Sequence, residues 1–267
     1  MRIGARGSDL AQWQARWVED RLRAAGITSE QVIVETLGDR VRDRPLNQLG
    51  AQGVFTKELE DALLRDDVDL AVHSFKDMAL QQPGTLGVGA ISERDDPADL
   101  LIVRRERVDP ANETFGLPAG AIVGTSAVRR AAQLAALQPG LDLRDLRGNL
   151  PTRLRKLAQG DYDAIFLAAA GVRRLVLALS AFHAVRLDPE RFVPSPAQGA
   201  LAVEMRTDHP QADAVRAAVH HGATAAAVTA ERDLLAAFGG GCSLPLGAHV
   251  VAEDGRRVPA YTEEQGA

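Results

Sequence analysis

Two doubly wound α/β units and a smaller third α/β unit are predicted for this 267-residue chain from three features of its sequence. Short apolar strands alternate with amphipathic helical stretches from the N-terminus to about Ile91, a rhythm that builds a mostly parallel sheet with helices on both faces. The polar break Glu93-Arg94-Asp95-Asp96-Pro97 interrupts that rhythm, which then starts again. Pro194, Pro196 and Gly199 mark a second break, followed by helical segments and short strand-like pieces. The units expected are 1–93 with 197–210, then 94–196, then 211–267.

Arg2 to Arg6 reads as the first strand. Ser8-Asp9 supplies a helix N-cap, Leu10, Trp13, Trp17 and Val18 follow at helical spacing, and Gly26 is the stop. Two tryptophans on such a face serve either as core or as a platform for a ligand. Val32 to Leu37 is a β-branched strand, after which Gly38-Asp39 opens a polar loop reaching Gly53, either a lid or an idle connection. Phe55 to Leu64 is helical, and Leu70–Val72 and Leu86–Ile91 are strands. In the second unit, strands are expected at Leu100–Val103, Ala121–Gly124, Leu141–Leu146 and Ala164–Leu167, with helices starting at Ser126, Pro151 and Ala170. A strand at Ala200–Glu204 and helices around Gln211–His220 and Ala223–Phe238 complete the reading, with two short strand-like pieces around Asp254-Gly255.

Composition narrows the classes of function. The chain is 46% hydrophobic and 25% charged, which fits a folded globular protein rather than a disordered one. No apolar run approaches the roughly 20 residues that span a bilayer. The opening Arg2-Ile3-Gly4 reads as a strand and not as a signal peptide. A single cysteine, Cys242, excludes an internal disulfide framework and a cysteine-rich zinc site, and no metal site is expected. A cytoplasmic setting is therefore expected. The net charge of −5 argues against general nucleic-acid binding. Within this acidic chain, Arg129, Arg130, Arg144, Arg147, Arg153, Arg155, Lys156, Arg173 and Arg174 crowd one region, a pattern that suits a compact anionic ligand.

Four stretches can bear chemistry. Leu70–Val72 turns abruptly into His73-Ser74-Phe75-Lys76-Asp77, and ligands of open α/β sheets sit beyond the carboxyl ends of strands. An ammonium beside a carboxylate can serve proton transfer, or it can be a solvated ion pair on a loop. Gly124-Thr125-Ser126-Ala127-Val128-Arg129-Arg130 places two arginines against the positive end of a helix dipole, which makes sense where an anion binds; otherwise it is a solvated basic turn. Leu146-Arg147-Gly148-Asn149-Leu150-Pro151-Thr152-Arg153 repeats that design, and the arginine fork matches carboxylates. Arg6 and Ser8 stand at another strand end and helix start. Cys242, after three glycines, is either a small buried hydrophobe or an accessible thiol on a pliant loop.

Taken together, Thr36-x-Gly38-Asp39, Phe55-x-Lys57-Glu58-Leu59, Ala71-Val72-His73-Ser74-x-Lys76-Asp77, Gly124-Thr125-Ser126-x-x-Arg129-Arg130, Leu146-Arg147-Gly148-Asn149, Gln198-Gly199-Ala200 and Gly240-Gly241-Cys242 resemble the porphobilinogen deaminase (hydroxymethylbilane synthase) family. The resemblance runs in order through nearly the whole chain. It implies two periplasmic-binding-protein-like doubly wound domains and a small third α/β domain, with a dipyrromethane cofactor joined through a thioether to Cys242. It also implies a monomeric transferase, with no nucleic-acid or membrane partner, that adds porphobilinogen units one by one with loss of ammonia. Asp77 would be the catalytic carboxylate. Lys76, Ser126, Arg129, Arg130 and Asp39 would hold the cofactor, and Arg6, Ser8, Gln14, Arg147, Arg153 and Arg174 the incoming substrate.

Four residues depart from the family's pattern: Gln48 and Gln52 where lysine is common, Ala127 where serine is, and Pro151 where glycine is. The chain also stops at Ala267, before members of the family usually end, so a third domain short of sheet and helix material is expected. The alternative from another class is a two-lobed receptor for an anionic small molecule that has lost turnover. Asp77 and Cys242 favour the enzyme, since a receptor needs neither.

Overall fold

The computed structural model describes residues 1–36, 56–240, 244–251 and 257–258. In chain order the elements are β1 (Arg2–Ala5), α1 (Asp9–Ala24), β2 (Glu30–Ile33), α2 (Lys57–Leu64), β3 (Leu70–Ser74), β4 (Leu86–Ile91), β5 (Asp99–Arg104), β6 (Ile122–Gly124), α3 (Val128–Leu137), β7 (Asp142–Arg144), α4 (Leu150–Gln159), β8 (Ala164–Ala168), α5 (Ala169–Arg174), β9 (Phe182–Arg186), β10 (Leu201–Arg206), α6 (Ala212–Val219), α7 (Gly222–Ala237), β11 (His249–Val250) and β12 (Arg257–Val258). They build two five-stranded sheets, ordered β2-β1-β3-β10-β4 and β7-β6-β8-β5-β9, and one antiparallel pair, β11-β12.

Each large sheet is mostly parallel, as expected: four strands run one way and a single strand, β10 in the first and β5 in the second, is set against them. β1 pairs in parallel with β2 and β3, but β10 lies antiparallel to both β3 and β4. In the second sheet β6 is parallel to β7 and β8, while β5 is antiparallel to β8 and β9. The cause is the exchange of strands. The chain leaves the first sheet after β4 through residues 93–98 and returns through 187–200 to insert β10 between β3 and β4. Two polypeptide crossings thus join the lobes, and both lie beside the carboxyl end of β3.

Local chemistry accounts for the elements. Ser8 caps α1, its Oγ accepting from the Ala11 N–H at 3.3 Å. The buried stripe of that helix is Ala11, Gln14, Ala15, Val18 and Leu22, so the tryptophans flank the core rather than fill it. Asn149 caps α4 by accepting from the Thr152 N–H at 3.0 Å, and Gly160, at φ 87°, closes the helix. Several boundaries differ from expectation, among them β2, which ends at Ile33, α3, which starts at Val128, and β7, which keeps only Asp142–Arg144. β9 is an unexpected strand, because its half-exposed Phe182-His183-Ala184-Val185-Arg186 lacks an apolar alternation.

The first lobe's core gathers Ile3, Ala15, Val18, Leu22, Leu70, Val72, Val203 and Met205, and α6 adds Val215 and Val219 to it. α6 therefore packs with the first lobe, although its sequence position lies in the stretch 211–267 read as the third unit. The second lobe closes around Leu101, Val103, Leu134 and Phe166, with Phe192 stacked on Phe166 at 5.2 Å. Among the described residues, no helix is long and apolar enough to cross a membrane.

Candidate active site

Between the lobes lies an open cleft of about 1860 Å³, whose walls come from the first lobe, the second lobe and α7. Ordinary small-molecule sites fall in the range of about 300–1000 Å³, so this is a broad cleft between lobes rather than a closed pocket.

β3 delivers the first wall. Its buried residues end at His73, and a single 3-10 turn, Phe75–Asp77, points the next side chains into the cleft. The Lys76 ammonium donates to Gln198 Oε1 at 2.9 Å. Burial lowers its pKa to about 8, with Arg130 and Arg129 pushing the same way and Asp77 and Asp99 opposing. Asp77 itself is exposed on the cleft and, among the described residues, makes no hydrogen bond or ion pair. The ion pair on a solvated loop, one of the two readings of this stretch, is therefore absent.

The second wall corrects the sequence reading of the arginine pair. Arg129 Nη2 and Arg130 Nη2 each lie 2.8 Å from an oxygen of one carboxylate, Asp99, at the start of β5. The anion that two arginines at a helix N-terminus call for is thus already in the chain. Arg129 also donates to the Val193 carbonyl at 2.7 Å, and Arg130 to that of Phe166 at 3.2 Å. Asp99 is fully buried, and both guanidiniums hold its carboxyl well below the usual range despite that burial. Gln198 joins the two walls: its amide donates to Asp99 Oδ1 at 2.8 Å while its oxygen accepts from Lys76. Three cations around one carboxylate leave net positive charge here, and Arg130 Nε is buried without a hydrogen-bond partner. Ser126 faces the cleft but donates its hydroxyl to the Leu146 carbonyl.

The third wall is the turn before α4. Gly148 adopts φ 116°, and a Cβ there would stand 2.7 Å from Thr152, so the turn requires glycine. Arg153 is held by its Nε donating to the Gly148 carbonyl at 2.7 Å. Burial lowers its pKa to about 10, with Arg130 adding to the shift and Asp77 opposing it, which places the Asp77 charge within electrostatic reach. Arg147 keeps Nη1 buried and without a hydrogen-bond partner.

The remaining expected residues divide. Arg6 is half-buried on the cleft wall, and Gln14 donates to Ser74 Oγ at 2.7 Å beside it. Ser8 lines the cleft while its side chain caps α1. Arg174 reaches the cleft, yet it donates to the Gly199 carbonyl at 2.6 Å, approaches Asp95 at 3.6 Å and lies 5.5 Å over the Trp13 ring. Trp13 is therefore a platform, for an arginine of the chain itself. Asp39, Gln48, Gln52 and Cys242 lie outside the described residues; Leu244 and Leu246, just after the cysteine, line the cleft.

Sequence reasoning missed Asp99 as the centre of the arginine pair. Its only signal was an acid directly before the apolar run Leu100–Val103, where burial demands a cationic partner. Gln198 was visible within Gln198-Gly199-Ala200 but had no assigned partner, since its contacts are 99 and 122 residues away in sequence.

Comparison with known proteins bears on this site. Residues 1–214 match the family described as "Porphobilinogen deaminase, dipyromethane cofactor binding domain", and residues 225–258 match "Porphobilinogen deaminase, C-terminal domain". A curated porphobilinogen deaminase of Pelobacter propionicus is 44% identical over 251 residues, which cover 93% of this chain and 78% of that protein. Among solved structures, a periplasmic substrate-binding protein of an ABC transporter from Coxiella burnetii matches at TM-score 0.49 and 13% identity, covering 85% of this chain and 94% of that one. A putative methionine-binding lipoprotein from Bacillus subtilis matches at TM-score 0.48 and 12% identity, covering 84% and 91%. These two likenesses are too loose to bear on function.

Proposed function

We propose that this chain, which belongs to the porphobilinogen deaminase family, performs hydroxymethylbilane synthesis with Asp77 as its catalytic carboxylate. As a transferase of that family it joins four porphobilinogen molecules head to tail, releases ammonia at each addition and yields a linear tetrapyrrole. The observation that carries the assignment of Asp77 is its place at the carboxyl end of β3. It is an exposed carboxylate with no hydrogen bond or ion pair among the described residues, and its charge acts on both Lys76 and Arg153. It shares the cleft with Arg147, the Asp99-bound arginines and the acids Asp9, Glu35 and Asp145. Family membership removes the ground for a receptor without turnover.

Each porphobilinogen brings an acetate and a propionate. Arg147 and Arg153 at the α4 turn, Arg174 at the end of α5, and Arg6, Ser8 and Gln14 of the first lobe all line the cleft and would receive them through charge-assisted hydrogen bonds. When the aminomethyl carbon–nitrogen bond breaks, ammonia leaves with the electron pair and the pyrrole left behind is cationic. Such a cation is disfavoured among arginines, and Asp77 supplies the counter-charge, bonds the pyrrole N–H and takes up a proton at a carboxylate oxygen. One preorganised electrostatic group of this kind is worth about a hundredfold to a thousandfold in rate.

The residues present fit the dipyrromethane cofactor of the family. Arg130, Arg147, Lys76 and Ser126 all line the cleft, and the guanidiniums, of which Arg130 Nε and Arg147 Nη1 have no hydrogen-bond partner among the described residues, would hold the cofactor's carboxylates. Arg129 and Arg130 would act chiefly by their charge, because Asp99 occupies their forks. Asp39 and, through a thioether, Cys242 would complete the set. When bound, the cofactor supplies the anchored pyrrole end to which new rings are added.

For the units, we place 1–93 with β10 and α6 in the first domain, 94–196 in the second and the remainder in the third. α6 packing and the gap between matched residues 214 and 225 support this division. The reading we carry for setting is a cytoplasmic monomer acting on porphobilinogen with no nucleic-acid or membrane partner; the net charge of −5 supports the part of it that concerns nucleic acid.

Intact mass tests the assignment. Protein produced with porphobilinogen available should carry the added mass of two linked pyrroles, and Cys242→Ala should fold and carry none. An unmodified parent chain, or a modified Cys242→Ala, would contradict it.

A further inference from the structure

The Asp77 turn has little of its own to hold it. Three residues of 3-10 helix contribute one internal bond, Met78 N–H to the Phe75 carbonyl at 3.3 Å, and the Asp77 side chain adds none among the described residues. Yet the turn is gripped from outside. Arg232 on α7 donates Nη1 to the carbonyls of Phe75 at 3.2 Å and Met78 at 3.1 Å, and Nη2 to that of Ala79 at 2.6 Å. Its guanidinium also lies 4.4 Å over the Phe75 ring. These carbonyls bracket Asp77 on both sides.

Arg232 is 9% exposed and forms no ion pair among the described residues. A buried guanidinium without a carboxylate is an expensive way to fill a core that Leu or Met would fill better. Both of its terminal nitrogens serve the one turn. Just beyond α7 the chain meets the segment after the turn again, where a Cβ added to Gly240 would stand 2.4 Å from Leu80.

We infer that Arg232 is a positioning residue, by which α7 fixes the direction in which Asp77 enters the cleft. The inference rests on the reading of Asp77 as the catalytic carboxylate.

The test compares Arg232→Gln and Arg232→Lys with the parent in single-turnover ammonia release, with cofactor loading equalised by intact mass. A displacement of the carboxylate by about an ångström costs up to about a hundredfold, so Arg232→Gln should lose at least about tenfold in kcat with KM within about twofold. Arg232→Lys, which can still reach one or two carbonyls, should recover part of that loss. Repeating Arg232→Gln in an Asp77→Asn background should abolish most of its effect, since a positioning residue has nothing left to position. A lowered Tm with unchanged kcat, a raised KM at unchanged kcat, or an undiminished loss in the Asp77→Asn background would each overturn the inference. If Arg232→Gln does not fold, Arg232→Lys decides: lowered kcat at parental KM supports it, and parental kcat refutes it. If Asp77→Asn alone is fully active, the reading of Asp77 has failed instead.

Discussion

Lys76 and Asp99 show how two charges of opposite sign answer one environment. The Lys76 pKa of about 8 stands below the unfolded value of about 10.4, so between those limits the folded chain binds fewer protons than the unfolded one. This group therefore penalises folding below pH 8, and stability should rise relative to a Lys76→Met variant as pH goes from 8 to about 10. Thermal melts of both proteins across that window check the sign; parallel curves would mean that Lys76 titrates normally. Asp99 is the reverse case. Its carboxyl is held below the usual range, so its contribution is present above about pH 4 and is lost as pH falls below that. Asp99→Asn leaves two buried guanidiniums without a counter-charge and should cost about 3–5 kcal/mol in denaturant unfolding at pH 7. It should also flatten the acid limb of stability. From the sequence, the tension of Arg129-Arg130 against a helix dipole was legible, but its resolution by a carboxylate in β5 was not. Pairing across 30 residues depends on which strand β6 and β8 lie beside, and dipole reasoning is silent about that.

Among the elements, those with a strong period or a cap were legible. Ser8 starting α1 and Asn149 with Pro151 opening α4 follow from side-chain chemistry that acts within three residues. The antiparallel insertion of β10 was not, because sheet order comes from chain crossings that leave no local signal. Those crossings also set a demanding turn: Gly199 adopts φ 96°, and a Cβ there would stand 2.4 Å from the Asp95 carbonyl oxygen. Gly199→Ala should therefore destabilise strongly, by about 3 kcal/mol or more, with both strain and a backbone clash against it. Gly148→Ala should be milder in stability, since the helix cap remains, while weakening substrate binding because Arg147 and Arg153 flank that turn. Chemical denaturation with substrate titration separates the two outcomes.

At the scale of the whole molecule, both crossings and α7 meet at one buried carboxylate. Glu231 receives Arg94 at 2.7 and 3.0 Å, the Ala197 N–H at 2.7 Å and the Val250 N–H at 2.8 Å. Glu231→Ala should cost about 3–5 kcal/mol, because it strands Arg94 and two backbone donors. With the lobes joined in this way, a carboxylate from the first faces arginines from the second, and the account of function stands on that confrontation. Its most direct test is single-turnover ammonia release by Asp77→Asn and Asp77→Glu at equal cofactor loading. Asn preserves shape and hydrogen bonding but removes the charge, so release should slow by about a hundredfold to a thousandfold. Glu keeps the charge one methylene further out and should be slowed less. If Asn releases ammonia as fast as Glu, Asp77 carries no charge-based role and the mechanism needs another acid.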